Sequence, residues 1–310
     1  TTKNWTMYYF DGTNTQHLAD TSIIYDNINL DINNNGEVVW VNGNLSDVNT
    51  FEIMHYNGAV KKQITTNAYY DTTPRINNNG ETVYVGSHGI GYQVFLYDGS
   101  SSNPIITGGQ NFTPDINDNG YVAWGRDYQL NIFDGSNIEE IPNPLNHKWS
   151  SNPTINNNQE VAWQIYENDQ LIPPENPSDP PVFVEGDYDI FFYDGILKQI
   201  NQDKLVDSNP DINDNGWITW EGFDKLTKKY TLSVYDGTDI QNVSSFFDIT
   251  HPFNPYAFCP KINNRNEIVW AGYDGHDYEI YMASPVPEPA TLSLLGLGLI
   301  GAGLRRKLLK

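Results

Sequence analysis

Apolar and polar residues alternate in short runs along most of the chain, and each run stops at a turn signal. Six runs align on one another: "DINNNGEVVW" from Asp31, "RINNNGETVY" from Arg75, "DINDNGYVAW" from Asp115, "TINNNQEVAW" from Thr154, "DINDNGWITW" from Asp211 and "KINNRNEIVW" from Lys261. Their isoleucines, Ile32, Ile76, Ile116, Ile155, Ile212 and Ile262, are spaced by 44, 40, 39, 57 and 50 residues. Between them runs a second pattern, an apolar strand closed by Asp-Gly or Asn-Gly: "MYYFDG" from Met7, "IMHYNG" from Ile53, "VFLYDG" from Val94, "LNIFDG" from Leu130, "IFFYDG" from Ile190 and "LSVYDG" from Leu232. β-Branched and aromatic residues with period-two alternation predict strands, and Asn-Gly or Asp-Gly between them predicts hairpins, because both residues tolerate positive φ.

Two hairpins per unit of roughly 40–50 residues make a four-stranded blade, and a series of such blades makes a β-propeller. The expected fold is all-β: a six-bladed β-propeller over residues 1–283. There are six Ile-Asn hairpins but seven third strands, the last being "YEIYMA" (Tyr278–Ala283), so seven blades become available if further sequence precedes Thr1. Closure is expected to draw on the strands near Trp5–Phe10 or Gln16–Ala19, paired with the last blade so that no edge stays open. One blade carries an insertion, Glu167–Asp189, whose prolines predict an extended stiff loop with Asp169, Glu175, Asp179 and Glu185 as solvated charges.

"DINDNG", at Asp115–Gly120 and Asp211–Gly216, has the spacing of a calcium loop as well as of a tight turn. Calcium coordination needs its oxygens kept from repeat to repeat. The leading Asp becomes Arg75, Thr154 and Lys261, and the twelfth position holds Arg126 or Gly222 rather than a bidentate Glu. What persists is Ile-Asn, a turn and an apolar strand. Turn formation therefore accounts for the pattern, and calcium is the one cofactor it admits, through Asp115, Asn117, Asn119, Asp211, Asn213 and Asn215.

The formal net charge is −22, from 17 basic and 39 acidic residues, and Arg305, Arg306, Lys307 and Lys310 lie at the very end. Such a body repels phosphate backbones, so no nucleic-acid partner is expected. The single cysteine, Cys259, excludes an internal disulfide and a thiolate metal cluster. No nucleophile elbow, His-Glu-x-x-His or paired Ser or Cys appears, and the six histidines are scattered. No catalytic residue is assigned, and a propeller enzyme acting on polysaccharide, a hydrolase or lyase, stands as the alternative to a binding protein. Gly296, Gly298 and Gly301 spell GxGxxG, but too little chain follows for a dinucleotide site. Asn44-Leu45-Ser46 is a glycosylation triplet to which no role is assigned.

The unit order resembles the TolB-like propeller repeat: "PDINDNGWITW" (Pro210–Trp220), "YTLSVYDG" (Tyr230–Gly237) and "IQNV" (Ile240–Val243) fill that repeat's slots, with Ile-Asn in place of its Trp-Ser. The tail "VPEPATLSLLGLGLIGAGLRRKLLK" has Pro287-Glu288-Pro289, an apolar stretch over residues 290–304, then Arg305, Arg306 and Lys307. It resembles a PEP-CTERM sorting signal, known also as an ice-binding-protein C-terminal motif. That resemblance implies export, an exosortase-type membrane protease as partner, and a transient inner-membrane anchor before delivery to the cell envelope or the exterior of an exopolysaccharide-making bacterium. Residues 284–289 would be linker and motif, 290–304 a short transmembrane helix and 305–310 a basic cytoplasmic end. Fifteen residues give a helix of roughly 22 Å, short of a hydrocarbon core of about 30 Å, which suits a temporary anchor.

The tight "NNG" and "YDG" turns are expected on one face of the propeller and the long variable links on the other. Those links carry Tyr69, Tyr70, His147, Trp149, Phe247, His251, Phe253 and Tyr256. Variable loops on a rigid scaffold are where binding usually resides, and aromatics beside Asp and Asn suit sugar rings. The expected function is non-enzymatic binding of polysaccharide or another envelope component. The alternatives are the propeller enzyme and a structural repeat protein with weak calcium binding.

Overall fold

The computed structural model describes residues 5–21, 30–44, 46–89, 91–144, 150–166, 170–172, 182–184, 186–243, 259–273 and 278–285. Every regular element among them is a strand. The expected C-terminal helix at 290–304 lies outside the described residues, as does the sorting signal at Pro287, Glu288, Pro289, Arg305, Arg306 and Lys307. The chain divides into two compact units, Thr1–Ile165 and Tyr166–Lys310.

The first unit opens with a hairpin of β1 (Trp5–Phe10) and β2 (Thr15–Thr21). Three four-stranded antiparallel sheets follow, each a meander in chain order. They are β3 (Leu30–Ile32), β4 (Val38–Asn44), β5 (Asp47–Tyr56) and β6 (Lys61–Gln63); β7 (Asp71–Ile76), β8 (Thr82–Gly86), β9 (Gln93–Tyr97) and β10 (Ser102–Ile106); and β11 (Asn111–Ile116), β12 (Val122–Arg126), β13 (Gln129–Phe133) and β14 (Ile138–Ile141). β15 (Ser150–Ile155) and β16 (Val161–Tyr166) form the next hairpin.

In the second unit, β17 (Gln170–Ile172) pairs with β18 (Val182–Val184), and β19 (Tyr188–Tyr193) with β20 (Leu197–Gln199). A full meander follows in β21 (Val206–Ile212), β22 (Ile218–Asp224), β23 (Lys229–Tyr235) and β24 (Ile240–Asn242), then a three-stranded sheet of β25 (Lys261–Ile262), β26 (Ile268–Tyr273) and β27 (Tyr278–Ala283). β17 and β18 pair at the two ends of the insertion, and the expected extended loop between them, with Pro173, Pro174, Pro177, Pro180 and Pro181, lies outside the described residues. Asp169, Glu175, Asp179 and Glu185 lie outside the described residues. Among the described residues β1 pairs with β2 alone, and β27 with β26 alone.

Four of the first strands, β7, β11, β15 and β21, carry an irregularity that their proline announces only in part. The residue before a proline is ordinarily extended. Here Thr73, Thr113, Asn152 and Asn209 take φ of 51°, 43°, 51° and 53°, each one residue before a proline. The pairing register slips at the same place in all four strands, so a β-bulge is built into the repeat. The first turn of each unit is closed by the Asn of Ile-Asn. Asn117 N–H donates to Tyr121 O over 3.1 Å and Gly120 N–H to Asn117 O over 3.1 Å, and the other five turns repeat this geometry. Gly36, Gly80, Gly120 and Gly216 sit at φ of 75–80°, as the turn requires, and Gln159 and Asn266 hold the same conformation without the freedom of glycine.

Candidate functional site

Each turn that looks like a calcium loop is bound to the corresponding turn of the next repeat in its own unit. Asn117 Oδ1 accepts the N–H groups of Asn119 and Tyr121 at 3.0 and 2.9 Å, while its Nδ2 donates to Asn156 O at 2.8 Å. Asn119 Nδ2 donates to Asn157 O. Asp115 Oδ2 accepts Ile155 N–H at 2.9 Å. In the second unit Asn213 Oδ1 accepts Asn215 and Trp217 N–H, Asn213 Nδ2 donates to Asn263 O, and Asn215 Nδ2 donates to Asn264 O. Asp211 accepts Ile262 N–H and pairs with Lys261 Nζ at 2.8 Å. Among the described residues no group of three or more His, Cys, Asp or Glu is arranged to hold a metal ion.

Of the aromatic link residues, His147, Trp149, Phe247, His251, Phe253 and Tyr256 lie outside the described residues. Tyr69 and Tyr70 are described, and they stand over a polar cluster at the β6–β7 link. Asn67 Oδ1 accepts Tyr69 N–H at 2.8 Å, an Asx turn that sets the ring's position. Tyr69 is 46% exposed and stacks on His88, with centroids 4.8 Å apart. Tyr70 turns inward onto Phe51 at 5.2 Å and meets Tyr92 edge-on.

Beneath Tyr69, His88 Nε2 lies 3.0 Å from Asp71 Oδ1, and Asn67 Nδ2 donates to Asp71 Oδ2 at 2.8 Å. His88 rests on Phe95 at 4.5 Å, and Gln93 Nε2 donates to the His88 carbonyl. Asp71 is fully buried, and that burial raises its pKa against the lowering bonds from Asn67 and His88. Glu52, also buried, is raised by desolvation, with a bond from Thr65 Oγ1 opposing. Thr65 Oγ1 in turn accepts Ile53 N–H. The result is a largely buried imidazole held by a buried carboxylate and capped by an exposed phenol ring.

Two sister sheets show what the same position does elsewhere. Asn111 and Asp207 stand three residues before the strand's proline as Asp71 does, and each spends an oxygen on the indole N–H of the second strand's tryptophan: Trp124 to Asn111 at 2.9 Å, Trp220 to Asp207 at 2.8 Å. In the β7–β10 sheet residue 84 is tyrosine, so no indole reaches the carboxylate and His88 takes its place. Sequence reasoning missed Asp71, His88, Asn67 and Glu52. The available signal was "ETVY" where the other five repeats end in Trp, followed by "SHGIGY".

In the second unit the buried carboxylates serve the frame. Asp207 accepts Trp220 and Asn201, and burial, with Asp203 adding, pushes its pKa up to about 8. Glu221 accepts Asn209 Nδ2 at 2.6 Å, Ser208 Oγ and Cys259 N–H.

Residues 285–307 match the model of the PEP-CTERM protein-sorting motif. The motif implies an exported protein with a membrane-associated tail processed by an exosortase. No curated protein sequence matches the chain significantly. Among solved structures, the chain is similar to the β-propeller domain of the Trilobed protease from Pyrococcus furiosus, at 14% identity and a TM-score of 0.56 over 84% of this chain and 81% of that one. It is similar to TolB from Acinetobacter baumannii at 13% identity and a TM-score of 0.52, over 80% of this chain and 61% of that one. The acylaminoacyl peptidase of Pyrococcus horikoshii matches at 14% identity and a TM-score of 0.53, over 82% of this chain and 44% of that one. The chain thus spans less than two thirds of TolB and less than half of the peptidase. At these identities the likeness shows the β-propeller fold and leaves activity open.

Proposed function

We propose that this exported propeller binds polysaccharide, or another sugar-bearing envelope component, through the Tyr69–His88–Asp71 cluster. The observation that carries the reading is the exposed Tyr69 ring, stacked on an imidazole that a buried carboxylate fixes. An aromatic face offers the apolar face of a sugar ring a flat partner, and Asn67 and His88 supply hydrogen bonds at its edge. The six Ile-Asn units support six blades, and the tail supports delivery to the cell envelope or exterior, where exopolysaccharide is the abundant ligand. No nucleic-acid partner is proposed for so acidic a body.

A second reading rests on the same pair: an imidazole oriented by a carboxylate is a general base in form, which suits a polysaccharide hydrolase or lyase. One experiment separates the two. The exported protein is passed over immobilised neutral and acidic glycans, and both retention and shortened product are scored. Retention lost with Tyr69→Ala and reduced with His88→Ala supports binding. Product formation that disappears with His88→Ala moves the assignment to the enzyme. Absence of both signals rejects the glycan reading.

A further inference from the structure

Arg126, the last residue of β12, occupies a position that the repeat fills differently elsewhere. Its equivalents, two residues after the tryptophan or tyrosine of the second strand, are Asn42, Gly86, Ile165, Gly222 and Gly272. Three of the five are glycine, so the frame asks for no long side chain there. In two of these sheets the residue directly across is a carboxylate: Asp71 pairs with Gly86 and Asp207 with Gly222. Across from Arg126 it is an amide, Asn111. That amide is already spent, since Oδ1 accepts the Trp124 indole N–H at 2.9 Å and Nδ2 donates to Gly108 O and Tyr92 O. The other basic side chains described in the first unit have acceptors: Lys61 in Leu18 O, Lys62 in Tyr97 Oη and Arg75 in Pro74 O. Among the described residues none accepts a hydrogen bond from the Arg126 guanidinium, and no carboxylate pairs with it. A half-buried guanidinium without a partner has given up hydration for nothing inside the fold, and its donors stay available.

The surface that begins at Tyr69 runs to this guanidinium without a break. Arg126 Nε and Nη2 stand 3.0 and 3.4 Å from where a Cβ on Gly109 would be, so the fork lies along the β10–β11 link. Gly109 O accepts Tyr92 N–H at 3.1 Å, which ties that link to the end of the β8–β9 loop. Gln93, next in the chain, holds the His88 carbonyl, and the His88 ring carries Tyr69. The half-buried rings of Tyr70, Tyr92 and Phe112 follow the same course from the β6–β7 link to β11, with centroids 6.5 and 6.1 Å apart. All of these residues belong to the first unit.

We propose that Arg126 takes the carboxylate of an acidic sugar, so that the polysaccharide stacked on Tyr69 is a uronic-acid polymer. The inference rests on the glycan reading above and narrows it to one class. A linear polysaccharide with one ring on Tyr69 continues past that ring, and the tyrosine row leads it to Arg126. The planar guanidinium meets a carboxylate with two parallel hydrogen bonds, a match that a hydroxyl or an acetamide does not give. The net charge of −22 repels a polyanion at long range, so such a polymer is held where an unpaired cation meets it at contact distance.

The test measures retention of the full chain on immobilised polygalacturonate and alginate, each beside its ester, in which the carboxylate is neutral and the backbone unchanged, and on a neutral glucan. The acid forms are expected to hold the protein about tenfold more tightly than their esters. Because acid and ester are compared on the unaltered protein, that result does not depend on any variant folding. Arg126→Gln is expected to abolish the difference, and Arg126→Lys, which keeps the charge and loses the fork, to preserve only part of it. Equal retention on acid and ester, still lost with Tyr69→Ala, overturns this inference and leaves the glycan reading standing, as does retention on the glucan alone. A preference for the acid forms that survives Arg126→Gln overturns the assignment to Arg126. Retention on none of the polymers overturns both.

Discussion

Asn117 Nδ2 donates to the main-chain carbonyl of Asn156 at 2.8 Å, joining two turns that stand 39 residues apart. Asn33 reaches Asn77 O, and Asn77 reaches Asn117 O, in the same way. The buried Asn thus closes its own turn with one end of its amide and fastens the next turn with the other. Asn117→Ala removes both roles and leaves two N–H groups without their acceptor, so it is expected to cost roughly 2–3 kcal/mol in a urea titration. Asn119→Ala, which removes one bond at an exposed position, is expected to cost roughly 0.5–1 kcal/mol. Equal losses would contradict the division of labour between them.

Gln159 holds φ of 68° where four sister turns have glycine. A side chain in the left-handed region costs roughly 1–2 kcal/mol, part of which glycine returns through its freer unfolded state. Gln159→Gly is therefore expected to raise stability by about 0.5–1 kcal/mol. Asn266, at φ of 61°, is the contrasting case, because its Oδ1 accepts Asn213 and Asn215 Nδ2 at 2.6 and 2.8 Å. Asn266→Gly is expected to lose stability, and the two midpoints moving in the same direction would argue against backbone strain as the cause.

The repeat was legible because its signals are local. Ile-Asn-x-x-Gly and Tyr-Asp-Gly set their own turns, and Trp40, Trp124 and Trp220 mark the apolar strands that follow the first of them. The stacking of the turns was not legible, since Asn77 and Asn117 find their partners about one repeat away, and a turn residue looks the same whether or not it also fastens a neighbour. The left-handed Thr73 and Thr113 run against the ordinary preference before proline, so pairing along the whole strand decides them. Asp71 was hidden for a subtler reason. Its position is polar in several sheets for a structural purpose, and only Tyr84, which cannot donate as Trp124 does, frees the carboxylate for His88.

Asp207 ties stability to pH. Its pKa rises from 3.8 to about 8 on folding, because burial disfavours the charge. The folded state therefore binds the proton that the unfolded state releases. The group's contribution is fully present below about pH 4, falls as pH rises, and is lost by about pH 8. Asp207→Asn keeps an acceptor for Trp220, as Asn111 does for Trp124. It is expected to flatten the decline between about pH 4 and 8 in urea midpoints measured across that range. An unchanged slope would place the titration elsewhere.

Asp211 and Asp115 direct their carboxylates at main-chain N–H groups of the following repeat. We expect calcium and chelator to leave the unfolding midpoint where it is, and Asp211→Ala to lower it by the same amount in either condition. A calcium-dependent rise abolished by Asp211→Ala would instead assign a ligand role to that loop.

Gly86 packs beneath the Asp71–His88 pair. A Cβ there would stand 2.6 Å from Asp71 Oδ1 and 3.0 Å from His88 Nε2. Asp71 is fully buried and tied to Asn67, so the carboxylate has little room to retreat, whereas His88 lies in a link that can swing outward. Gly86→Ala is expected to displace His88 and, with it, the ring of Tyr69. The measurable outcome is weakened glycan retention together with a shift of the His88 ring resonances, at a stability cost of roughly 1–3 kcal/mol, typical of overpacking. Retention that persists while the His88 signals move would separate the imidazole from recognition and leave Tyr69 alone as the contact. Retention lost with unmoved signals would mean that the glycan is read elsewhere on the face.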